Sequence, residues 1–256
     1  VSLSRTALRL VVIEAIKGAT MAGARVFDSR MDDLSPDAFA GDELPTAIVF
    51  TDQDSGDALS KQNGGPPFNR HTELTIELGL TQRVRTEAEE GADPQYLILY
   101  PNTDARLEAA LDLFEFQVLR RLEYADDALP RTFRRFWRIT KYECHRQVFD
   151  ESGVKIACRL LTLVCNGGDD RVQVYNQGQA IPTGYAALPE PLRTVANALP
   201  DGTYGRDVCD AIAAAIGTLS LPQLSGIDTT FDGGNTTQGD VPSTEEHGTI
   251  DVTTYP

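Results

Sequence analysis

The chain has 256 residues, room for one large domain or an ordinary domain with a substantial extension, and its 41% hydrophobic content allows a real buried core. Its 38 acidic against 23 basic side chains leave a formal charge of −15, the opposite of the balance a free nucleic-acid binder needs for phosphate neutralisation. No stretch approaches the roughly 18 consecutive apolar residues of a membrane span, and the opening Val1-Ser2-Leu3-Ser4-Arg5 lacks a signal peptide's layout, so neither membrane nor secretion is expected.

The first predicted element is a helix from Ser4 to Ala19, with Ser4 as N-cap and Leu8, Val11, Val12, Ala15 and Ala19 on its apolar side. Gly23 ends it. Residues 25–29 read as a short strand and residues 44–51 as a second, with Pro45 at its start, where a missing N–H is tolerated. Residues 52–70 hold Asp, Ser, Gly, Asn and Pro in quantity around Gly64-Gly65-Pro66-Pro67, which predicts a long loop that orders only on contact with a neighbour. The following strand alternates cleanly: Leu74, Ile76, Leu78 and Leu80 share one face, Thr75, Glu77 and Gly79 the other.

After an acidic linker at 87–93, residues 96–100 form a short apolar run. A strong helix follows, capped by Thr103 or Asp104, with Leu107, Leu111, Phe114, Val118 and Leu122 as its buried stripe. A second linker carries Asp126, Asp127 and Pro130. Residues 136–149 and 155–164 read as paired strands around Glu151-Ser152-Gly153, with Ile156, Cys158, Leu160 and Val164 on one face. Residues 1–165 therefore predict an α+β domain, a mainly antiparallel sheet packed with two principal helices.

Beyond Asn166 the composition changes: only Arg171, Arg193 and Arg206 are basic. Residues 166–225 form an accessory region with a strand at 172–175 and short helices at 188–198 and 206–219, the latter with Val208, Ile212, Ala215, Ile216 and Leu219 as its apolar side. Residues 226–256 are rich in Thr, Gly and Asp and hold too few large apolar residues to fold by themselves, which predicts an extended C-terminal arm. There Ile250, Val252 and Thr254 alternate as in a strand that adds to a sheet edge elsewhere.

His71, His145 and His247 are far apart and in no HExxH context, and there is no GxSxG elbow, phosphate loop or dinucleotide fingerprint. The stretch Asp52-Gln53-Asp54-Ser55-Gly56-Asp57 has Gly56 fifth rather than sixth and Asn63 in the twelfth place, so a solvated acidic loop is favoured over a calcium loop. Cys144, Cys158, Cys165 and Cys209 show no paired spacing and read as reduced thiols, Cys158 and Cys165 as core. Arg131, Arg134, Arg135 and Arg138, interleaved with Phe133, Phe136 and Trp137, are the one basic cluster. Such a run can stack on nucleic acid, or pair with acidic neighbours across a subunit interface; the interface is favoured in so acidic a chain. No catalytic residue, metal or cofactor is expected.

The order of elements carries a resemblance. The N-terminal helix, Arg25-Val26-Phe27-Asp28-Ser29-Arg30, then Glu43-Leu44-Pro45-Thr46-Ala47-Ile48-Val49-Phe50, the amphipathic strand 73–80, the helix with Leu107-Glu108-Ala109-Ala110-Leu111-Asp112 and the hairpin ending Leu160-Leu161-Thr162-Leu163-Val164 resemble the tail terminator (tail completion) proteins of long-tailed bacteriophages, over residues 1–165. The resemblance implies a structural virion protein of the tail and neck, assembled in the host cytoplasm. It would form a homo-oligomeric ring, usually of six, that caps the tail tube, meets the tube protein and a neck or stopper protein, and lets DNA pass without specific binding. Ring closure by identical subunits needs heterologous contacts. The interface candidates are Asp54, Lys61, Phe68 and Arg70, then Arg131, Arg134 and Arg135, and Ile250, Val252 and Tyr255 of the arm. Another neck or minor tail protein, or a small acidic hydrolase or ligand-binding module, are the competing readings.

Overall fold

The computed structural model describes residues 2–29, 45–60, 62, 64–80, 82–85, 96–99, 104–151, 154–171 and 182–217. In chain order these form α1 (Leu3–Ile16), β1 (Val26–Asp28), β2 (Thr46–Ala58), β3 (Phe68–Leu80), β4 (Gln82–Arg85), β5 (Tyr96–Leu99), α2 (Asp104–Tyr124), α3 (Ala128–Phe136), β6 (Trp137–Glu151), β7 (Val154–Gly168), a 3₁₀ turn at Gly184–Ala187, α4 (Leu192–Ala198) and α5 (Tyr204–Gly217). Five strands make one sheet in the order β1-β2-β3-β7-β6, antiparallel throughout except that β1 runs parallel to β2; β4 and β5 pair separately. The fold is α+β, as the alternation of period-2 and period-3.6 segments predicts.

The helices pack on one sheet face. Ala47, Val49, Leu74, Ile76, Leu78, Leu161, Leu163 and Cys165 point into a core shared with all five helices. α1 sits at its centre. Ala7, Leu8, Leu10, Val11, Val12, Ile13, Ala15 and Ile16 are all buried, so the helix is enclosed nearly all round rather than along one stripe. It is shorter than its periodicity predicts. Ser2, not Ser4, is the N-cap, its Oγ accepting from the Ser4 N–H at 3.1 Å, and Gly18 at φ +69° turns the chain away after Ile16. α2 follows expectation: Leu111, Phe114, Val118 and Leu122 are buried at the predicted spacing.

The region after 166 contributes to the same core. Leu188, Leu192, Val195, Ala196, Leu199, Cys209 and Ala213 belong to it, and residues 1–219 form one compact unit. In α5 the innermost residues are Gly205, Cys209 and Ala213, while Ala215 is exposed; the buried line lies one position off the predicted one because the small side chains allow closer approach. The strand expected at 172–175, the arm at 226–256 and Lys61 lie outside the described residues.

Three expectations are corrected. Residues 52–70 are not one long loop: β2 and β3 pair from Asp54↔Thr72 to Ala58↔Phe68, so only the segment between Ala58 and Phe68 connects them. This part of the hairpin is largely exposed and is held by backbone bonds and ion pairs, which a composition reading does not register. Pro130 is not in a linker but in the first turn of α3, where its missing N–H costs nothing, so the arginine run sits on a helix and the start of β6. In β7 the core face is Leu161, Leu163 and Cys165, not the set containing Leu160 and Val164. The run 160–165 is apolar on both faces, so alternation alone does not choose.

Candidate functional site

The surface most suited to a partner lies along the two sides of the sheet, and its geometry starts at the end where β7 runs out. There Arg70 of β3 bridges the carboxylates of Asp54 and Asp169, the latter at 2.9 Å; Asp169 also accepts from the Phe68 N–H at 3.3 Å. The next residue, Asp170, accepts from the Leu3 N–H at 2.9 Å, placing negative charge at the start of α1. Burial by itself would raise the Asp169 carboxyl, but hydrogen bonds from Arg70 and from backbone N–H groups outweigh it and hold the carboxyl below its ordinary value. Asp54 and Arg70 are thus brought together as partners within one chain, and Phe68 is half-buried beside them.

The arginine run divides by role. Arg134 donates to the Leu122 and Ala125 carbonyls at 2.7 Å each, closing the C-terminal end of α2. Arg135 lies 5.2 Å from the centroid of the Phe136 ring, Arg131 pairs with exposed Asp126 at 3.6 Å, and Arg138 is exposed. Phe133 and Trp137 are buried against each other, ring centroids 6.3 Å apart. Two of the three interleaved aromatics are therefore core, and the third, partly buried Phe136, is covered by Arg135.

β6 is the edge of the sheet over its whole length, with β7 as its strand partner among the described residues. Helix α2 is tied beside it by a charge network. Arg159 of β7, only 12% exposed, pairs with Asp112, with Glu115 at 3.0 Å and with Glu108 at 2.9 Å; Arg146 of β6 reaches Glu108 at 2.7 Å. Large apolar side chains are exposed here one by one: Tyr142 on β6 and Leu113, Phe116 and Tyr124 on α2 are all about half exposed or more. No signal in the sequence pairs Arg159 with its three carboxylates, because they come from an element some fifty residues away.

The thiols are poor nucleophiles. Burial pushes Cys158 and Cys165 up to about 12, and at Cys144 burial together with the hydrogen bond to Glu115 does the same. Among the described residues no three His, Cys, Asp or Glu side chains are grouped as metal ligands. An open polar cleft of about 490 Å³ is lined by Tyr185, Asp201, Arg206, Asp207 and Asp210. Its one cation is engaged: Arg206 closes α4 through the Ala196 and Leu199 carbonyls at 3.2 and 3.0 Å and lies 4.8 Å over the Tyr185 ring.

On the sheet face away from the helices, Ile48, Thr75 and Cys158 are buried around Glu77. Burial raises the Glu77 carboxyl, offset in part by its hydrogen bond with Cys158. With a folded-state value above the unfolded one, the charged form is disfavoured in the fold: no cost arises below the unfolded value of about 4.3, and a cost develops as pH rises through the folded value. Glu77→Gln is expected to raise the melting temperature at pH 7 and to leave it unchanged near pH 3 (about a unit below that value), which thermal melts at the two pH values check. No protein-family model matches the chain, and no curated protein is similar to it.

Proposed function

We propose that the chain is a non-enzymatic structural subunit of a bacteriophage tail that forms a ring, of six copies in the family it resembles, and caps the tail tube where it joins the neck. The observation that carries this reading is the β6 edge: 15 residues of strand with one side open among the described residues, with exposed Tyr142 on the strand itself. A long open edge is a template for protein partners, which a free-standing enzyme would cover. The strong acidity supports the same reading, since a lumen formed by such subunits repels phosphate and lets DNA move. Tube protein and a neck or stopper protein are the neighbours the resemblance implies, and the virion is the place of action.

Polymerising the tail-tube protein of the same phage with and without this chain tests the proposal. Electron micrographs are expected to show rings of the isolated chain and, in the mixture, short tubes with one end capped. A chain that forms no ring and leaves tube length unchanged overturns it.

A further inference from the structure

We propose that the basic first part of β6 in one copy pairs with the acidic far half of β2 in the next, so that the sheet continues from subunit to subunit. This rests on the ring reading for the identity of the partner and names the two surfaces that meet.

Among the described residues the sheet has two different open sides. β6 pairs with β7 alone among the described strands. On the opposite side, among the described residues, β1 covers β2 at Ala47, Ile48 and Val49, where the Ser29 N–H also reaches the Val49 carbonyl at 2.9 Å. From Phe50 to Ala58, apart from a register shift between Thr51 and Asp54, β2 pairs on its β3 side alone among the described residues.

The pairing register says which parts lie level. Gly56, Arg70, Gly167 and Trp137 form one row across the sheet, Ser55, His71, Asn166 and Arg138 the next, and Thr51, Leu74, Leu163 and Tyr142 a later one. The open half of β2 is therefore level with residues 137–143 of β6. The half covered by β1 is level with Cys144 and Arg146.

Charge follows the same division. The open half of β2 carries Asp52, Asp54 and Asp57 with no basic residue, and the Asp57 side chain is 89% exposed. Asp54 is engaged by Arg70 and Asp52 accepts from the Thr75 hydroxyl at 2.8 Å, while Asp57, with the His71 ring 3.6 Å away, is the acid most open to a neighbour. The level part of β6 carries Arg138 and Lys141 against the single acid Glu143, which pairs with Lys141, so Arg138 is its open cation; Arg131 and Arg135 lie just before it on α3. Like edges repel and unlike edges attract, which disfavours pairing of each edge with its own kind. Strand direction agrees as well. β2, β3, β7 and β6 alternate, so a second copy set beside the first in the same orientation brings its β2 antiparallel to β6. Contact between two unlike patches is heterologous, and it closes into a ring when the rotation permits.

Two full-length charge-reversed variants test this: Arg138→Glu with Lys141→Glu, which makes both edges acidic, and Asp52→Lys with Asp57→Lys, which makes both edges basic. Circular dichroism first establishes that each is folded. By analytical ultracentrifugation each alone is expected to self-associate at least about tenfold more weakly than the wild type, since close charge pairs set such contacts. An equimolar mixture is expected to recover assembly in alternating order, because every boundary then joins an acidic to a basic edge. Recovery on mixing supports the proposal and also answers the concern that either variant is merely misfolded. Rings that persist in either variant alone, or folded variants that stay apart when mixed, overturn edge pairing while the ring reading stands. A wild-type chain that stays at its monomer mass of 27.9 kDa at every concentration overturns both.

Discussion

Arg70→Ala is expected to cost about 3 kcal/mol, the lower part of the range for breaking a mostly buried ion pair by removing one partner. The Arg70, Asp54 and Asp169 side chains are 17%, 7% and 11% exposed, so water cannot replace the guanidinium. Deleting it leaves two carboxylates facing each other near the turn end of the β2–β3 hairpin, with Asp169 also bound to the Phe68 N–H. In a unit of this size the loss corresponds to a melting temperature lower by roughly 6–12 °C. The penalty is pH-dependent, and its sign follows from Asp169. Its folded-state value lies below the ordinary one, so the stabilisation is fully present above about pH 4 and is lost as pH falls through the folded value. The gap between wild type and variant should therefore be widest near neutrality (about pH 7, well above ordinary carboxylate values) and shrink in acid. Adding Asp169→Asn to the variant should restore part of the loss. A single-variant cost under about 1 kcal/mol, the scale of an exposed pair, would mean that this cluster does not organise the hairpin.

Gly167→Ala is expected to cost about 2–3 kcal/mol through overpacking, although it adds a single methyl group. A Cβ at Gly167 would meet Trp137 Cδ1 at 2.5 Å, Trp137 Nε1 at 2.9 Å and the Phe136 carbonyl oxygen at 3.1 Å. None of these can easily give way. The indole is 2% exposed and held by the Phe133 and Phe136 rings, with centroids 6.3 and 5.7 Å away, and the carbonyl is backbone. Trp137 is the single tryptophan of the chain, so its fluorescence reports the displacement directly. The variant should show red-shifted emission along with its lower melting temperature. Gly168→Ala is the control, since a Cβ there meets nothing within 4 Å; it should change stability by no more than about 1 kcal/mol. Equal effects at the two positions would remove the packing explanation.

Local periodicity by itself determined the amphipathic strand with Leu74, Ile76, Leu78 and Leu80 inward, the buried stripe of α2, the hairpin around Glu151 and the α+β class. Each of these depends on neighbours within a few residues, where side-chain direction repeats with the backbone. Tertiary structure alone decided four further features. The polar stretch after Thr51 became strand because β3 supplied backbone partners and Arg70 supplied charge. β7 turned Leu161, Leu163 and Cys165 to the core because helices lay on that side. The first helix became central because α4 and α5, from far along the chain, closed over it. The arginine run split into Arg134, spent on two carbonyls, and Arg138, left at an exposed edge, a difference no spacing encodes. The reason is distance along the chain. Asp170 meets Leu3 across 167 positions and Asp169 meets Arg70 across 99, and contacts that remote leave no periodic trace in the residues that make them.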